Sequence, residues 1–418
     1  MMMALQTTRG AAQWVIVVSL LLAGKTVAFT PQHNNPTRAI SISKTRLDLS
    51  SPTTATSSPK APPRTGFAQT LLNLALASPF WKLVLVPQAR ANLVNTAEAN
   101  GIPWKECKAW IQSNAEMVEV DDNLVKVPDY YREAFHAYES GNLSWDAAWE
   151  VEIASAAVGA RNFPQYGSKG EYGFRGAFES ALTDAGASVP TGAKVLDLGC
   201  GTGMSTRRLA KNFPQVETVQ GVDLSPYFIQ IGKELLKLAP KRFDEGGPWV
   251  STITPDDRIE YQVGDAAQTG LESESFDVVN LQFVTHELPA DAARDIVDEA
   301  LRLLKPNGQL WICEMDFESP ALAEQRANAM LFSLIRSTEP YLDDYADSIA
   351  NFFQHVQSKF DATTVVPATG RHYALVATKG KTESTGNGVF NDLRFDEDGT
   401  YRVEDTHLKT WESKQEIQ

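Results

Sequence analysis

Two rhythms of apolar and polar positions divide the chain. Between Ala193 and Thr378, short apolar runs alternate with segments whose apolar residues recur every three to four positions. The runs are Val195-Leu196-Asp197-Leu198, Thr218 to Asp223, Ile259 to Ala266, Ser275 to Pro289 (a strand and its mouth) and Gln309 to Met315. Short apolar runs bounded by turn residues read as buried strands. The periodic segments, such as Phe228, Ile231, Leu235 and Leu238, or Ala292, Ile296, Val297, Ala300 and Leu304, read as helices with one apolar face. Their alternation predicts a parallel sheet covered by helices on both faces. Thr363 to Pro367 and His372 to Thr378 add a closing antiparallel hairpin around Ala368-Thr369-Gly370-Arg371. The expected fold is therefore α/β, with seven strands, mostly parallel and the last antiparallel, over residues 191–380.

Residues 66–190 have a helical rhythm instead and form a helical N-terminal extension. Its start, Gly66 to Ala89, is strongly apolar but interrupted by Pro79 and Lys82, and reads as core or dimer contact rather than a membrane span. A homo-oligomer thus stays open. Gly159 to Gly167 breaks the pattern as a loop, in which Arg161 and Tyr166 offer a charged donor and a flat face to an acceptor. Helical stretches at Ala321 to Ser337 and Tyr341 to Phe360 fall between the fifth and sixth strands. The tail, 381–418, is polar and acidic; Asp396-Glu397-Asp398-Gly399 is fit to turn a hairpin, and the tail carries no recognisable chemistry.

The first 65 residues belong to targeting. Arg9 precedes the apolar run Trp14 to Ala23, which suits a signal-peptide core (1–28) and is too short for a span. Residues 29–65 are rich in Ser, Thr and Pro, with Lys and Arg far outnumbering the one acid, Asp48. That is transit-peptide composition. A signal followed at Phe29 by such a segment resembles the bipartite plastid presequences of diatoms and related algae, so plastid localisation is expected, with secretion as the alternative. The three cysteines, Cys107, Cys200 and Cys313, are too few and too scattered for a disulfide framework, which weighs against secretion. They offer no metal spacing either. A net charge of -14 would repel phosphate backbones, so nucleic acid is not an expected partner.

The candidate chemistry begins at Asp197-Leu198-Gly199-Cys200-Gly201-Thr202-Gly203, where a strand passes through three glycines into a helix opened by Ser205 and Thr206. Glycine tolerates positive φ and close backbone approach, and hydroxyl residues at a helix start can cap free N–H groups, so the turn presents a polar ligand to the positive end of a helix. A dinucleotide fingerprint would need G-x-G-x-x-G; here the third glycine comes one residue early and Met204 takes its place. Asp223, about twenty residues on at the end of the second strand, suits ribose hydroxyls in either reading. The Gly264-Asp265-Ala266 end of the third strand sets a third carboxylate at the edge where ligands bind open α/β sheets.

The G-x-G-x-G spacing after a strand-borne acid, with Asp277-Val278-Val279 and Lys305-Pro306-Asn307-Gly308 downstream, resembles the class I S-adenosyl-L-methionine-dependent methyltransferases. The match runs over about Thr191 to Lys379. It implies a Rossmann-like methyltransferase sheet and S-adenosyl-L-methionine as cofactor. Asp197, Gly199, Cys200, Gly201 and Gly203 would receive the methionine part, Asp223 and Leu224 the ribose, Asp265 and Ala266 the adenine, with Gln282 at the mouth of the fourth strand. The Arg161 to Gly167 loop, His286-Glu287-Leu288-Pro289 and the stretch Glu339 to Tyr345 are similar to plastid methyltransferase-domain proteins of plants and algae. Insertions at the last place commonly cover the acceptor in the family, which assigns Tyr341 to a small-molecule acceptor.

His286 and Glu287, just past the fourth strand, are the expected catalytic residues, because a histidine can take the proton of an acceptor hydroxyl. A nicotinamide-dependent oxidoreductase is the alternative; it leaves Asp197 unexplained. A non-catalytic protein that keeps the cofactor pocket is a third reading.

Overall fold

Apolar residues on consecutive positions of β1 (Lys194–Leu198) place that strand in the middle of the sheet: Val195, Leu196 and Leu198 are fully buried. A strand covered on both faces needs apolar side chains pointing both ways, and this run supplies them. The computed structural model describes residues 86–402 apart from 122–124, 137, 139, 246–254, 329–331, 333, 334, 336, 337 and 381–387. The expected signal and transit segments, and the apolar stretch before residue 86, lie outside the described residues.

β1 pairs in parallel with β2 (Thr218–Asp223) on one side and β4 (Phe276–Gln282) on the other. β3 (Ile259–Val263) extends the sheet beyond β2, and β5 (Leu304–Met315) beyond β4. β6 (Ala362–Ala368) and β7 (His372–Thr378) form the expected hairpin, with β7 inserted antiparallel between β5 and β6. The order is β3-β2-β1-β4-β5-β7-β6-β8.

The eighth strand was not expected. β8 (Val389–Asp392), from the supposedly idle tail, pairs in parallel with β6. Without it β6 would present a row of unpaired backbone groups at the sheet edge. The residues after β8 anchor it: Arg394 is fully buried and bonds Asp316 (3.0 Å), Asp392 and Glu318, while the Tyr401 hydroxyl donates to Asp316 at 2.7 Å. A turn at Asp396 to Gly399 does form between them, closed by Asp396 N–H to Thr400 at 2.9 Å.

In the N-terminal extension lie α1 (Val86–Ala99), α2 (Trp104–Asn114), α3 (Trp145–Asn162) and α4 (Gly170–Asp184). Ser144 caps α3, accepting the Ala147 N–H at 3.3 Å. The helix then runs on through Gly159 and Arg161, so the predicted loop starts only at Phe163. Gly159 is there for packing rather than for a turn: a Cβ would sit 2.1 Å from the Glu171 Cα, where α3 crosses α4.

Between the strands run α5 (Met204–Asn212), α6 (Pro226–Glu245) and α7 (Ala290–Leu303), then α8 (Pro320–Ala327) and α9 (Leu342–Lys359). α7 and α9 bury Ile296, Val297, Phe353 and Val356 on one face of the sheet. α4 and α5 bury Phe178, Leu182, Leu209 and Ala210 on the other. Ile111 and Ile153 of the extension pack on Phe228, Ile231 and Leu235 of α6. No described helix is long and apolar enough to cross a membrane.

Candidate active site at the carboxyl edge of the sheet

β1 ends in a turn whose glycines are all left-handed: Gly199 at φ 67°, Gly201 at φ 57° and Gly203 at φ 93°. Sterics demand two of them as well. A Cβ on Gly199 would lie 2.5 Å from the Val284 side chain, and one on Gly203 would meet the Tyr261 hydroxyl at 1.8 Å. A Cβ on Gly201 would make only an ordinary van der Waals contact, 4.0 Å from Phe228. The turn is tied to β2, since the N–H groups of Gly199 and Cys200 both reach the Val222 carbonyl, at 2.8 and 3.1 Å.

α5 starts at Gly203 with no side-chain cap. Ser205 and Thr206 turn inward instead, each donating to Asp197 Oδ2 at 2.6 Å, while Asn280 donates to Oδ1 at 2.6 Å. The helix end thus keeps its N–H groups for a ligand. Burial raises the Asp197 pKa, and these donors oppose that rise.

Asp223 ends β2 as expected. Its Oδ2 accepts the Gly201 N–H and its Oδ1 the Ser225 N–H, both at 2.8 Å, with the Tyr131 hydroxyl 3.5 Å from Oδ1. Burial raises its pKa to about 6. Leu224 is buried beside it. Asp265 and Ala266 are half-buried past β3, and Asp265 accepts the Ala267 N–H at 2.9 Å. The Cys200 thiol is buried, and burial with the nearby Asp223 and Asp197 pushes its pKa up. Gln282 accepts from Arg175 at 2.9 Å and donates to Asn280 at 3.2 Å, which joins Asp197 to α4 through side chains.

Past β4 a second group gathers. His286 is 7 % exposed, and its Nδ1 lies 2.9 Å from the Glu314 carboxylate of β5. Glu314 is fully buried and also accepts from the Thr285 hydroxyl at 3.1 Å and the Met315 N–H at 2.8 Å. Burial alone would lower the His286 pKa; the Glu314 carboxylate outweighs it and raises it well above the ordinary histidine range. Glu314 is held below its own ordinary value, His286 overcoming burial. Burial moves Glu287 up to about 8. Glu287 Oε1 and Glu339 Oε1 each lie 3.9 Å from His136 Nε2, and Glu339 Oε2 lies 3.7 Å from His286 Nε2.

The segment 129–144 bridges the two groups. Tyr131 lies by Asp223, Asn142 donates to Glu287 at 3.4 Å, and the Asn142 carbonyl accepts the Ser225 hydroxyl at 2.7 Å. His136 N–H bonds the Thr338 carbonyl at 2.9 Å, and Tyr341 donates to the Tyr130 carbonyl at 3.4 Å. Tyr341 thus sits on this bridge. Arg161 closes α3, where desolvation by its surroundings and the neighbouring Arg371 lower its pKa, and Tyr166 stacks on Phe163 with its ring over Gly173.

Several residues here escaped sequence reasoning. Glu152 of α3 bonds the Thr202 hydroxyl at 2.8 Å and Arg207 at 2.7 Å, and Arg207 donates to the Thr202 carbonyl at 2.9 Å, so the extension clasps the glycine turn. Periodicity does not mark Glu152; its burial does. Glu314 did leave a signal: a carboxylate inside an apolar strand, as at Asp197. No group of three or more His, Cys, Asp or Glu placed to hold a metal ion occurs among the described residues.

Residues 196–312 match the methyltransferase domain family. The chain is 29% identical over 182 residues to a demethylmenaquinone methyltransferase of Clavibacter sepedonicus, covering 44% of this chain and 63% of that protein. It is 32% identical over 141 residues to the mitochondrial 2-methoxy-6-polyprenyl-1,4-benzoquinol methylase of Caenorhabditis elegans, covering 33% and 43%. It is 32% identical over 127 residues to a 2-methyl-6-phytyl-1,4-hydroquinone methyltransferase of Synechocystis, covering 30% and 33%. The chain thus spans less than two thirds of each of these relatives. Among solved structures it is similar to a TehB-like methyltransferase of Corynebacterium glutamicum, at 20% identity, 48% and 87% coverage and a TM-score of 0.28. The residues that match, the glycine turn and the acid at the end of β2 together make residues 196–312 a class I methyltransferase domain, whose cofactor is S-adenosyl-L-methionine.

Proposed function

We propose that the chain transfers a methyl group from S-adenosyl-L-methionine to a small, ring-containing acceptor. The observation that carries this is the direct bond between the glycine turn and the β2 acid, Gly201 N–H to Asp223 at 2.8 Å. It fixes a backbone cradle and a ribose-binding carboxylate in one unit. When bound, the cofactor supplies an electrophilic methyl group on a sulfonium.

The chain's own residues then bind and orient. Asp223 accepts the ribose hydroxyls, and Asp265 with the Ala266 backbone receives the adenine. Asp197 already accepts three bonds of about four that a carboxylate can take, so its main work is to hold the turn. Arg175, held by Glu171 and Gln282, is the cation for the methionine carboxylate. His286, expected as a base, has a different part: an imidazolium stabilised by Glu314 donates at neutral pH and favours negative charge on the acceptor. Transfer rests chiefly on holding donor and acceptor at near-attack distance. The relatives named for quinone-ring compounds support an aromatic acceptor.

Calorimetry with S-adenosyl-L-homocysteine and with NAD tests the reading. Micromolar binding of the first and none of the second is expected; tighter binding of NAD overturns it in favour of an oxidoreductase. We also place the protein in the plastid, on the composition of residues 1–65. A fluorescent protein fused after residue 66 should reach that organelle, and its secretion refutes the placement.

A further inference from the structure

The group beyond β4 contains buried polar atoms that satisfy one another incompletely. Glu339 Oε2 is buried and has no hydrogen-bond partner. His286 is more than nine-tenths buried, and it uses Nδ1 on Glu314 while Nε2 faces Glu339 at 3.7 Å, beyond hydrogen-bond range. His136 stands 3.9 Å from both Glu287 and Glu339. Four acid-base groups from three separate segments therefore point at each other across gaps too wide to bond directly. A buried orphan oxygen costs on the order of 1–3 kcal/mol, and such a cost persists where a ligand satisfies it.

We propose, on the basis of the methyltransferase reading above, that this ring receives a hydroxyl compound of phenolic type and that Glu339, not His286, takes its proton. An orphan carboxylate oxygen is an acceptor and needs an O–H donor. Opposite it His286 Nε2 is a donor and supports the negative charge that develops on oxygen. In the step, the acceptor O–H bond breaks and its proton passes to the Glu339 carboxylate. The oxygen forms a bond to the methyl carbon, and the carbon–sulfur bond breaks with its electron pair left on sulfur as a neutral thioether. Glu339 returns the proton to solvent as product leaves.

The groups facing Glu339 set its titration. They are His286 and Glu287 past β4, Glu314 in β5 and His136 in the 129–144 segment. Burial raises the Glu339 pKa, His286 opposes the rise and Glu314 adds to it. That moves a carboxylate toward neutral pH, where a general base works best.

The test uses the full chain, labelled S-adenosyl-L-methionine, and a panel of catechol, hydroquinone, 4-nitrocatechol and aniline. Wild-type protein should methylate phenols and not aniline. Glu339→Gln should lose about 10²- to 10⁴-fold in turnover on catechol, yet stay within about threefold of wild type on 4-nitrocatechol at a pH where that phenol is already ionised and needs no base. The low-pH limb of the wild-type rate profile should vanish in the variant. Equal losses on both catechols indicate a structural role and overturn the inference, as does no loss on either, or methylation of aniline alone. Binding of S-adenosyl-L-homocysteine, measured on both proteins, checks that the variant is folded. A wild-type chain that binds it and methylates no phenol overturns this inference alone; a chain that does not bind it overturns the cofactor reading as well.

Discussion

The two halves of the carboxyl edge are built in different ways. The cofactor half is mostly backbone from nearby sequence: three glycines in five residues, the Val222 carbonyl and the Asp223 carboxylate lie within about one strand-helix-strand unit. The half proposed to take the acceptor is side chains drawn from far apart, with His136, His286, Glu314 and Glu339 spread over two hundred residues. Backbone conformation constrains residue type tightly and leaves a motif, whereas convergent side chains leave none. The class of reaction is therefore written locally and the choice of acceptor is not.

The sharpest way to break this contrast is through Glu152, a distant residue that clasps the glycine turn itself. Both it and Arg207 are buried, so Glu152→Ala strands a cation and should lower the unfolding free energy by about 3–5 kcal/mol. Urea denaturation of the two proteins measures it, and an unchanged midpoint would mean that the extension merely leans on the turn. Next comes Asp223→Ala, which should weaken S-adenosyl-L-homocysteine binding by about 1.5–3 kcal/mol, the loss of a charged hydrogen-bond partner. Calorimetry giving the wild-type dissociation constant would move the ribose elsewhere.

What could be read from residues alone obeys the same division. Strands β1 to β7 were recognisable from apolar runs, and the glycine turn from its spacing, because each is a short-range pattern. β8 was not: Val389-Phe390-Asn391-Asp392 is too short and too polar to stand out, and its partner β6 lies over twenty residues away. Ser205 and Thr206 looked like caps because hydroxyls at a helix start usually are. A buried carboxylate within reach competes for the same donors, and Asp197 wins them. His286 was visible as a histidine at the right strand end. Its charge was not, since that depends on Glu314, paired to it across β4 and β5.

Two smaller effects sharpen the comparison. Asp223 is the stronger acceptor when ionised and its pKa is raised to about 6, so cofactor-product affinity should be flat above that pH and fall by up to about tenfold per unit below it. A titration that stays flat to pH 4.5 would assign the ribose contact to another group. Tyr131→Phe removes only a hydroxyl 3.5 Å from that carboxylate, and a change of no more than about twofold in affinity is expected from so long a bond. A tenfold loss would make the 129–144 segment part of the cofactor half.

The Arg394 anchor sets an order on synthesis. Asp316 leaves the ribosome 78 residues before the arginine that neutralises it, and β6 leaves before the strand that covers its edge. A nascent chain that has made β1 to β7 still carries an uncompensated buried acid, which destabilises it, and an open strand edge, which favours pairing with a neighbouring chain over completion. The stretch from β8 to Tyr401 thus decides when the first folded state becomes safe from aggregation, and a stop codon placed just after β7 would leave every site residue present in a protein that accumulates poorly.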